Sequence, residues 1–144
     1  MTSESTIRAG IAGSGFAATF HAKAVRNVGG PDVELVGVYS PTKENREEFA
    51  QEQGIQVFHS QEELLDNVDV VHVCAPPVVH ESIAVSALEK DKSAIVEKPL
   101  TGYFGDGSDD FHGDTFPKRD ALDSAVASVQ RMIEAEEASE GEDR

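Results

Sequence analysis

The stretch that decides the fold is Ile7 to Ala18, which reads IRAGIAGSGFAA. An apolar run ends here in a G-x-G-x-x-A pattern, whose small residues are Gly13, Gly15 and Ala18. A helical pattern follows at once, so the order is strand, glycine turn and helix. This order is typical of the first turn of a dinucleotide-binding βαβ unit. The alternative is a tight corner in which the small residues serve packing only.

Each small residue of the turn has its own physical role. Gly13 permits the tight turn, and Gly15 lets the backbone approach a pyrophosphate with no side chain in between. Ala18, in the place of a third glycine, keeps the helix close to the strand. The helix N-terminus offers unpaired N–H groups and a positive dipole end to phosphates. The turn is therefore expected to bind a phosphate group.

Strand and helix patterns alternate along the rest of the chain. Strands are predicted at 7–13, 33–39, 55–58, 68–75 and 94–96, and helices at 16–28, 43–53, 61–66, 79–90 and 119–138. The nearly continuous apolar run at 68–75 suits a parallel strand that is buried on both faces. The alternation predicts an α/β fold: a doubly wound parallel Rossmann sheet of order 3-2-1-4-5, in a single three-layer domain.

Apolar residues recur at helical spacing in the first and last predicted helices. Those of the first helix are Phe16, Phe20, Ala24 and Val28. Those of the last helix form one stripe: Leu122, Ala125, Val126, Val129, Met132 and Ile133. We expect the last helix to pack on the sheet beside the fifth strand.

The predicted Rossmann domain spans 7–138, between a disordered N-terminus at 1–6 and an acidic tail at 139–144. Within it, 102–117 reads GYFGDGSDDFHGDTFP and has no periodicity. We interpret it as an insertion loop before the last helix. It is either a mobile loop over the active-site edge or a surface insertion without function.

Composition narrows the class of partner. The 144 residues include 27 acidic and 12 basic ones, for a formal net charge of −15. This charge argues against nucleic acids and anionic membranes as partners. The single cysteine, Cys74, forms no internal disulfide, and no signal-peptide or membrane-spanning run is present. We expect a cytoplasmic protein.

Metal sites are not supported by the residue spacing. Asp106, Ser108 and Asp110 resemble the start of an EF-hand loop, but Phe111 and Pro117 stand where glycine and glutamate are required. The five histidines show no metal-ligand spacing with the cysteine. We also expect His21, on the first helix, to be a packing or surface residue.

The end of the second strand bears on the choice of cofactor. An NAD site usually has Asp or Glu here, whereas this chain has Ser40, followed by Thr42, Lys43 and Arg46. A small hydroxyl with nearby cations accommodates a 2′-phosphate. NADP is thus favoured, with NAD as the alternative. The cations could equally be the solvated face of a helix.

Two further motifs fall at the same predicted sheet edge. Ala75, Pro76, Pro77 and His80 follow the fourth strand, and Glu97-Lys98-Pro99 ends the fifth. A lysine there can position a carbonyl or hydroxyl and take part in proton transfer, and Glu97 could hold it by an ion pair. The alternatives are a capping or surface histidine and an ordinary exposed strand end.

Together, the GSGFAA turn, the APPVVH loop and the EKP stretch resemble the cofactor domain of the Gfo/Idh/MocA oxidoreductases over residues 7–100. The resemblance implies that Gly13, Ser14, Gly15, Phe16 and Ala17 hold the pyrophosphate. It implies that Ser40, Thr42 and Lys43 meet the adenosine ribose, and that Ala75, Pro76, Pro77 and His80 line the nicotinamide ribose. Lys98 would contact substrate and nicotinamide, with Glu97 beside it.

The resemblance also implies a missing part. Members of this family carry a second α/β domain that binds substrate, and 144 residues leave no room for it. We expect a cofactor-binding half of an enzyme that transfers hydride between nicotinamide and a sugar, polyol or related compound. On its own this chain should bind cofactor more readily than it catalyses. The alternatives are a stand-alone nucleotide-binding or regulatory module and a methyltransferase-type domain for S-adenosylmethionine.

Overall fold

The computed structural model of the protein describes residues 5–139. One sheet contains all five parallel strands, in the order β3-β2-β1-β4-β5. The strands are β1 (Ile7–Ala12), β2 (Val33–Tyr39), β3 (Gln56–Val57), β4 (Val70–Val73) and β5 (Ser93–Val96). The predicted doubly wound Rossmann topology is confirmed, with β3 and β4 shorter than the apolar runs that predicted them.

Helices cover both faces of this sheet. They are α1 (Phe16–Arg26), α2 (Lys43–Gln53), α3 (Gln61–Asp66), α4 (His80–Glu89) and α5 (Lys118–Glu137), with a 3₁₀ turn, Pro77–Val79, before α4. Local signals define their ends: Gly54 ends α2 with φ +66°, and the Ser60 hydroxyl caps α3 by accepting from the Glu63 N–H at 3.0 Å. The predicted bounds of α2 and α3 are confirmed.

Two clusters of buried side chains hold the layers together. Ile11 and Val38 of the sheet pack against Ala18 and Ala22 of α1 and Phe49 of α2. On the opposite face the sheet packs against α3 and α4 through a second cluster that includes Val71, Val73, Leu64, Leu65, Ile83 and Ala87. The core therefore lies on both faces of the central strands, as the apolar run at β4 predicts.

The buried face of α1 is not the one that carries its recurring large apolar residues. Ala18, Ala22 and Val25 are buried. The apolar residues that recur at helical spacing are exposed: Phe16, Phe20, Ala24 and Val28. The two phenylalanine rings stack edge to face on the outer side of the helix, with centroids 4.7 Å apart. Small side chains occupy the face of α1 that contacts the sheet, because the helix begins at the glycine turn close to the sheet, where aromatic rings do not fit.

The last helix also lies elsewhere than expected, because α5 packs against α4 and not on the sheet. The Glu81 carboxylate of α4 accepts hydrogen bonds from Ser128, at 2.6 Å, and from Arg131. The bond from Arg131 lowers the pKa of Glu81. Half of the predicted apolar stripe is exposed, namely Leu122, Val126 and Ile133, whereas Met132 is buried.

All of residues 102–117 are described, and they contain turns but no helix or strand. Tyr103, Phe111 and Phe116 pack on one another with ring centroids 4.7–5.4 Å apart. The predicted disordered N-terminus and acidic tail lie outside the described residues, apart from Ser5, Thr6 and Ser139. Within residues 5–139 no helix is long and apolar enough to cross a membrane.

Candidate dinucleotide site

The parallel sheet brings three loops to its carboxyl edge. These are the glycine turn after β1, the proline-rich loop after β4 and the Glu97-Lys98-Pro99 stretch after β5. The chain continues from β1 to one side of the sheet and from β4 to the other, so the edge between these two neighbours is the topological switch point. Ligands of open α/β sheets bind in the crevice at this point.

Gly13 cannot be replaced without strain. Its φ is +115°, and a Cβ at this position would lie 2.7 Å from the carbonyl carbon and oxygen of Cys74. The Gly13 N–H donates to the Tyr39 carbonyl oxygen at 2.8 Å. The turn is thus pressed between the ends of β2 and β4, and this close approach requires glycine.

Gly15 is free of such contacts. Its φ of −89° and ψ of −162° suit any residue, and a Cβ here would have no atom within 4 Å. Gly15 is also the N-cap of α1, and no side chain caps this end of the helix. The first N–H groups of α1 therefore face open space, which fits a pyrophosphate that a larger side chain would displace.

A cleft of about 290 Å³ opens at this turn and runs between α1 and α2. Ser14, Gly15 and Phe16 line its mouth, while Glu48 and Glu52 line the wall formed by α2. Because carboxylates repel phosphates, only the mouth suits the anionic part of a dinucleotide.

The end of β2 is tied to the glycine turn. Ser40 is buried, and its hydroxyl lies 2.9 Å from the Ser14 hydroxyl. Thr42 is exposed and makes no capping hydrogen bond to α2. The predicted ribose residues Ser40 and Thr42 thus lie beside the predicted pyrophosphate residues, and residues 40–43 contain no carboxylate.

The two cations near Ser40 differ in their surroundings. Arg46 donates through Nη1 to the carbonyl oxygens of Ser40, at 3.1 Å, and Pro41, at 3.2 Å, and lies over the Tyr39 ring. Lys43 is 68% exposed, and its Nζ lies 3.8 Å from Glu47. Arg46 therefore shapes the loop, and Lys43 is the cation with freedom to reach a ligand.

His80 lies inside the protein and connects the two remaining loops. It is 1% exposed, with Nδ1 2.8 Å from the Pro99 carbonyl oxygen and Nε2 2.8 Å from the Ala75 carbonyl oxygen. Because carbonyl oxygens only accept, a ring nitrogen that carries a proton donates to the carbonyl oxygen that it faces. The imidazole thus holds the Ala75-Pro76-Pro77 loop and the Lys98-Pro99 segment together.

Glu97 has a different partner from the one proposed on sequence. Its Oε1 lies 2.8 Å from His21 Nε2, and its Oε2 accepts from the Lys98 backbone N–H at 3.1 Å. These two bonds lower the pKa of Glu97. The expected ion pair with the Lys98 ammonium is replaced by the pair with His21, since α1 places the imidazole beside the strand end. Lys98 itself is exposed, and the Lys98–Pro99 peptide bond is cis.

Sequence reasoning missed the contribution of two histidines. His21 Nδ1 lies 2.9 Å from His72 Nδ1, so α1, β4 and the end of β5 are joined by one hydrogen-bonded chain. His72 is the one polar residue of β4, and its interruption of the apolar strand was the available signal. His21 lies 51 residues away from His72, and no sequence pattern around His21 indicated this contact.

The described residues 5–139 hold no group of three or more His, Cys, Asp or Glu side chains arranged to bind a metal ion.

A parallel sheet of this order, with an uncapped helix behind a glycine turn at its switch point, defines a dinucleotide-binding Rossmann domain. Residues 7–109 match the oxidoreductase family with an NAD-binding Rossmann fold, Gfo/Idh/MocA. The chain belongs to this family, which confirms the resemblance drawn from the three motifs.

Two curated relatives from Bacillus subtilis (strain 168) are similar to most of the chain. Glucose-6-phosphate 3-dehydrogenase is 36% identical over 91 residues, which cover 63% of this chain and 25% of the relative. scyllo-Inositol 2-dehydrogenase (NAD(+)) is 34% identical over 102 residues, which cover 68% of this chain and 29% of the relative. The chain thus spans only about a quarter of the length of these relatives.

Among solved structures, biliverdin reductase from Synechocystis sp. PCC 6803, in complex with biliverdin and NADP+, is similar with a TM-score of 0.60. The two are 29% identical, and the match covers 66% of this chain and 30% of that one.

Proposed function

We propose that this chain binds a nicotinamide dinucleotide at the carboxyl edge of its sheet, with the pyrophosphate on the N-terminus of α1. Gly15 carries the proposal: open space lies where its Cβ would be, directly in front of an uncapped helix end. Gly13, Ser14, Phe16 and Ala17 complete the turn around the phosphates. Backbone N–H groups bind the anion here despite the chain's net charge of −15, because the helix dipole acts locally.

We further propose that the phosphorylated cofactor, NADP, is preferred over NAD. The support is the absence of a carboxylate at residues 40–43 and the exposed ammonium of Lys43. Arg46 contributes little, because it is already bonded to two backbone carbonyls. The relatives include a protein named for NAD(+) and one solved with NADP+, so this preference rests on the residues of this chain.

At the other end of the site, Lys98 is the proposed catalytic contact. Its side chain is exposed at the end of β5, where it can hold a substrate hydroxyl and take part in its proton transfer. The bound nicotinamide supplies hydride chemistry. Ala75, Pro76, Pro77 and the buried His80 shape the neighbouring loop. The substrate class is a sugar, polyol or related hydroxy or keto compound, in keeping with the names of the relatives.

The activity would require further protein beyond these residues. Ile95 of β5 is 48% exposed and Leu122 of α5 is 61% exposed, so apolar side chains on the sheet and on the last helix lack cover in residues 5–139. This exposure favours a cofactor half of a larger enzyme over a stand-alone regulatory module. The acidic composition supports a protein that binds neither nucleic acid nor anionic membranes, and the single cysteine supports a cytoplasmic location.

The experiment is a titration of the chain with NADPH, NADH and S-adenosylmethionine, using wild type and Gly15→Val. Wild type should bind both reduced dinucleotides, NADPH more tightly, and should not bind S-adenosylmethionine. The valine variant should stay folded and lose at least about tenfold in affinity, because its side chain fills the phosphate position. No binding of either dinucleotide would refute the proposal. Unchanged binding by the variant would place the site elsewhere.

A further inference from the structure

Three side chains form a continuous hydrogen-bonded chain that the proposed function does not use. They are His72 on β4, His21 on α1 and Glu97 after β5, and we call them the histidine relay. His72 Nδ1 and His21 Nδ1 are 2.9 Å apart, and His21 Nε2 lies 2.8 Å from Glu97 Oε1. The relay ends at the backbone of the proposed catalytic lysine, since Glu97 Oε2 accepts from the Lys98 N–H.

The protons of the relay can be assigned from its partners. Glu97 is a carboxylate, because its hydrogen bonds lower its pKa, and a carboxylate only accepts. His21 Nε2 therefore carries a proton. The short contact between the two Nδ1 atoms needs one proton, on either ring. When His21 is neutral, that proton belongs to His72, so His72 is the Nδ1–H tautomer. When His21 is charged, it donates from Nδ1, and His72 becomes the Nε2–H tautomer.

His72 itself stays neutral. It is 9% exposed on β4, in register with Ile11 on one side and Ile95 on the other. Burial, and secondarily the charge of His21, lower its pKa from 6.5 to about 4. Cys74 on the same strand is no source of charge, because burial and Glu97 raise its pKa to about 12. Glu97 and the backbone N–H of Lys98 lie at the other end of the relay. His72 therefore takes part in the relay as a neutral imidazole.

We propose that His72 is a positioning residue for Lys98. His72 holds the His21 ring by its Nδ1, the ring then aims Nε2 at Glu97, and Glu97 fixes the Lys98 backbone N–H. The role assigned to Lys98 rests on the proposed function, whereas the relay exists without any cofactor. His72 thus sets the backbone of the lysine from 26 positions earlier in the chain, across two neighbouring strands.

The tautomer of His72 tests the relay in the cofactor-free protein. Long-range ¹H–¹⁵N NMR spectra are recorded from about pH 8 down to about pH 5. His72 should remain neutral throughout, as the Nδ1–H tautomer wherever His21 is neutral and as the Nε2–H tautomer wherever His21 is charged. An Nε2–H tautomer at every pH, or a His72 that becomes charged together with His21, would overturn the proposal.

Two substitutions separate positioning from a merely structural role. His72→Asn keeps a hydrogen-bond donor near the position of Nδ1, whereas His72→Val fits the apolar strand and removes the donor. Hydrogen exchange of the Lys98 amide should accelerate about tenfold in the valine variant and stay within about twofold of wild type in the asparagine variant. His59→Val, an exposed histidine outside the relay, is the matched control and should change nothing.

Equal acceleration in both His72 variants would reduce the residue to a packing role, and no acceleration in either would remove it from the path to Lys98. Because these spectra need no cofactor, a failure of the relay is distinguishable from a failure of dinucleotide binding, which the titration with NADPH and NADH measures.

Discussion

The two ends of the candidate site are built from different materials. The phosphate end consists of backbone groups and small residues, with Gly13 pressed against β4 and Gly15 open to solvent. The nicotinamide end depends on side chains: His80 connects two loops, and the histidine relay reaches Glu97. The phosphate end depends on the absence of side chains at its glycines. The nicotinamide end depends on hydrogen-bond donors that face acceptors. Substitutions that add side-chain volume should therefore disturb the phosphate end most. Changes in protonation should disturb the nicotinamide end most.

The largest expected effect separates the two glycines of the turn. Gly13→Ala should lower the free energy of unfolding by about 2–4 kcal/mol, because a Cβ there meets the Cys74 backbone at 2.7 Å in a positive-φ conformation. Gly15→Ala should change it by less than about 1 kcal/mol, since nothing surrounds the added carbon. Urea denaturation of both variants measures the difference. Equal losses would mean that the turn is not pressed between β2 and β4.

A second prediction concerns acid at the nicotinamide end. The folded pKa of His72 is about 4, below its ordinary 6.5, so the unfolded chain binds the extra proton first as the pH falls. Stability that is present above about pH 6.5 is therefore lost toward pH 4. Between about pH 7 and about pH 5, wild type should lose about 1–2 kcal/mol more than His72→Val in urea denaturation. If the free energies of unfolding of the two proteins changed in parallel with pH, His72 would be protonated as easily in the folded protein as in the unfolded chain.

The smallest effect should come from Ser40, at the junction of turn and ribose. Ser40→Asp should shift the ratio of NADPH to NADH affinity toward NADH by about tenfold, or about 1.4 kcal/mol. The carboxylate repels a 2′-phosphate and accepts from a 2′-hydroxyl. Lys43→Gln is the companion variant and should weaken NADPH without changing NADH. An unchanged ratio of NADPH to NADH affinity in Ser40→Asp would show that the end of β2 does not contact the cofactor.

The phosphate end was predictable because its signal is local. Gly13, Gly15 and Ala18 lie within a single turn, and their spacing is fixed by the geometry of one strand and one helix. The alternation of strands and helices likewise predicted the sheet order, which is confirmed. Short-range patterns of this kind predict the structure well, because the residues that form the pattern are also neighbours in the folded protein.

The nicotinamide end was only partly predictable, because its contacts are distant in sequence. His21 and Glu97 are 76 residues apart, and the sequence around each residue does not predict their contact. Apolar spacing also does not reveal the buried face of α1, where Ala18 and Ala22 are buried and Phe16 and Phe20 are exposed. The same spacing misplaced α5, because the bonds of Ser128 and Arg131 to Glu81 orient that helix against α4.

The most direct test of the account is to observe which backbone amides respond to a bound dinucleotide. In ¹H–¹⁵N spectra of the protein titrated with NADPH, the amides of residues 14–17 should show the largest shifts, because their N–H groups would bind the pyrophosphate. ADP-ribose, which carries the same pyrophosphate, should reproduce these shifts. Shifts that leave residues 14–17 unchanged and appear elsewhere would contradict the central claim.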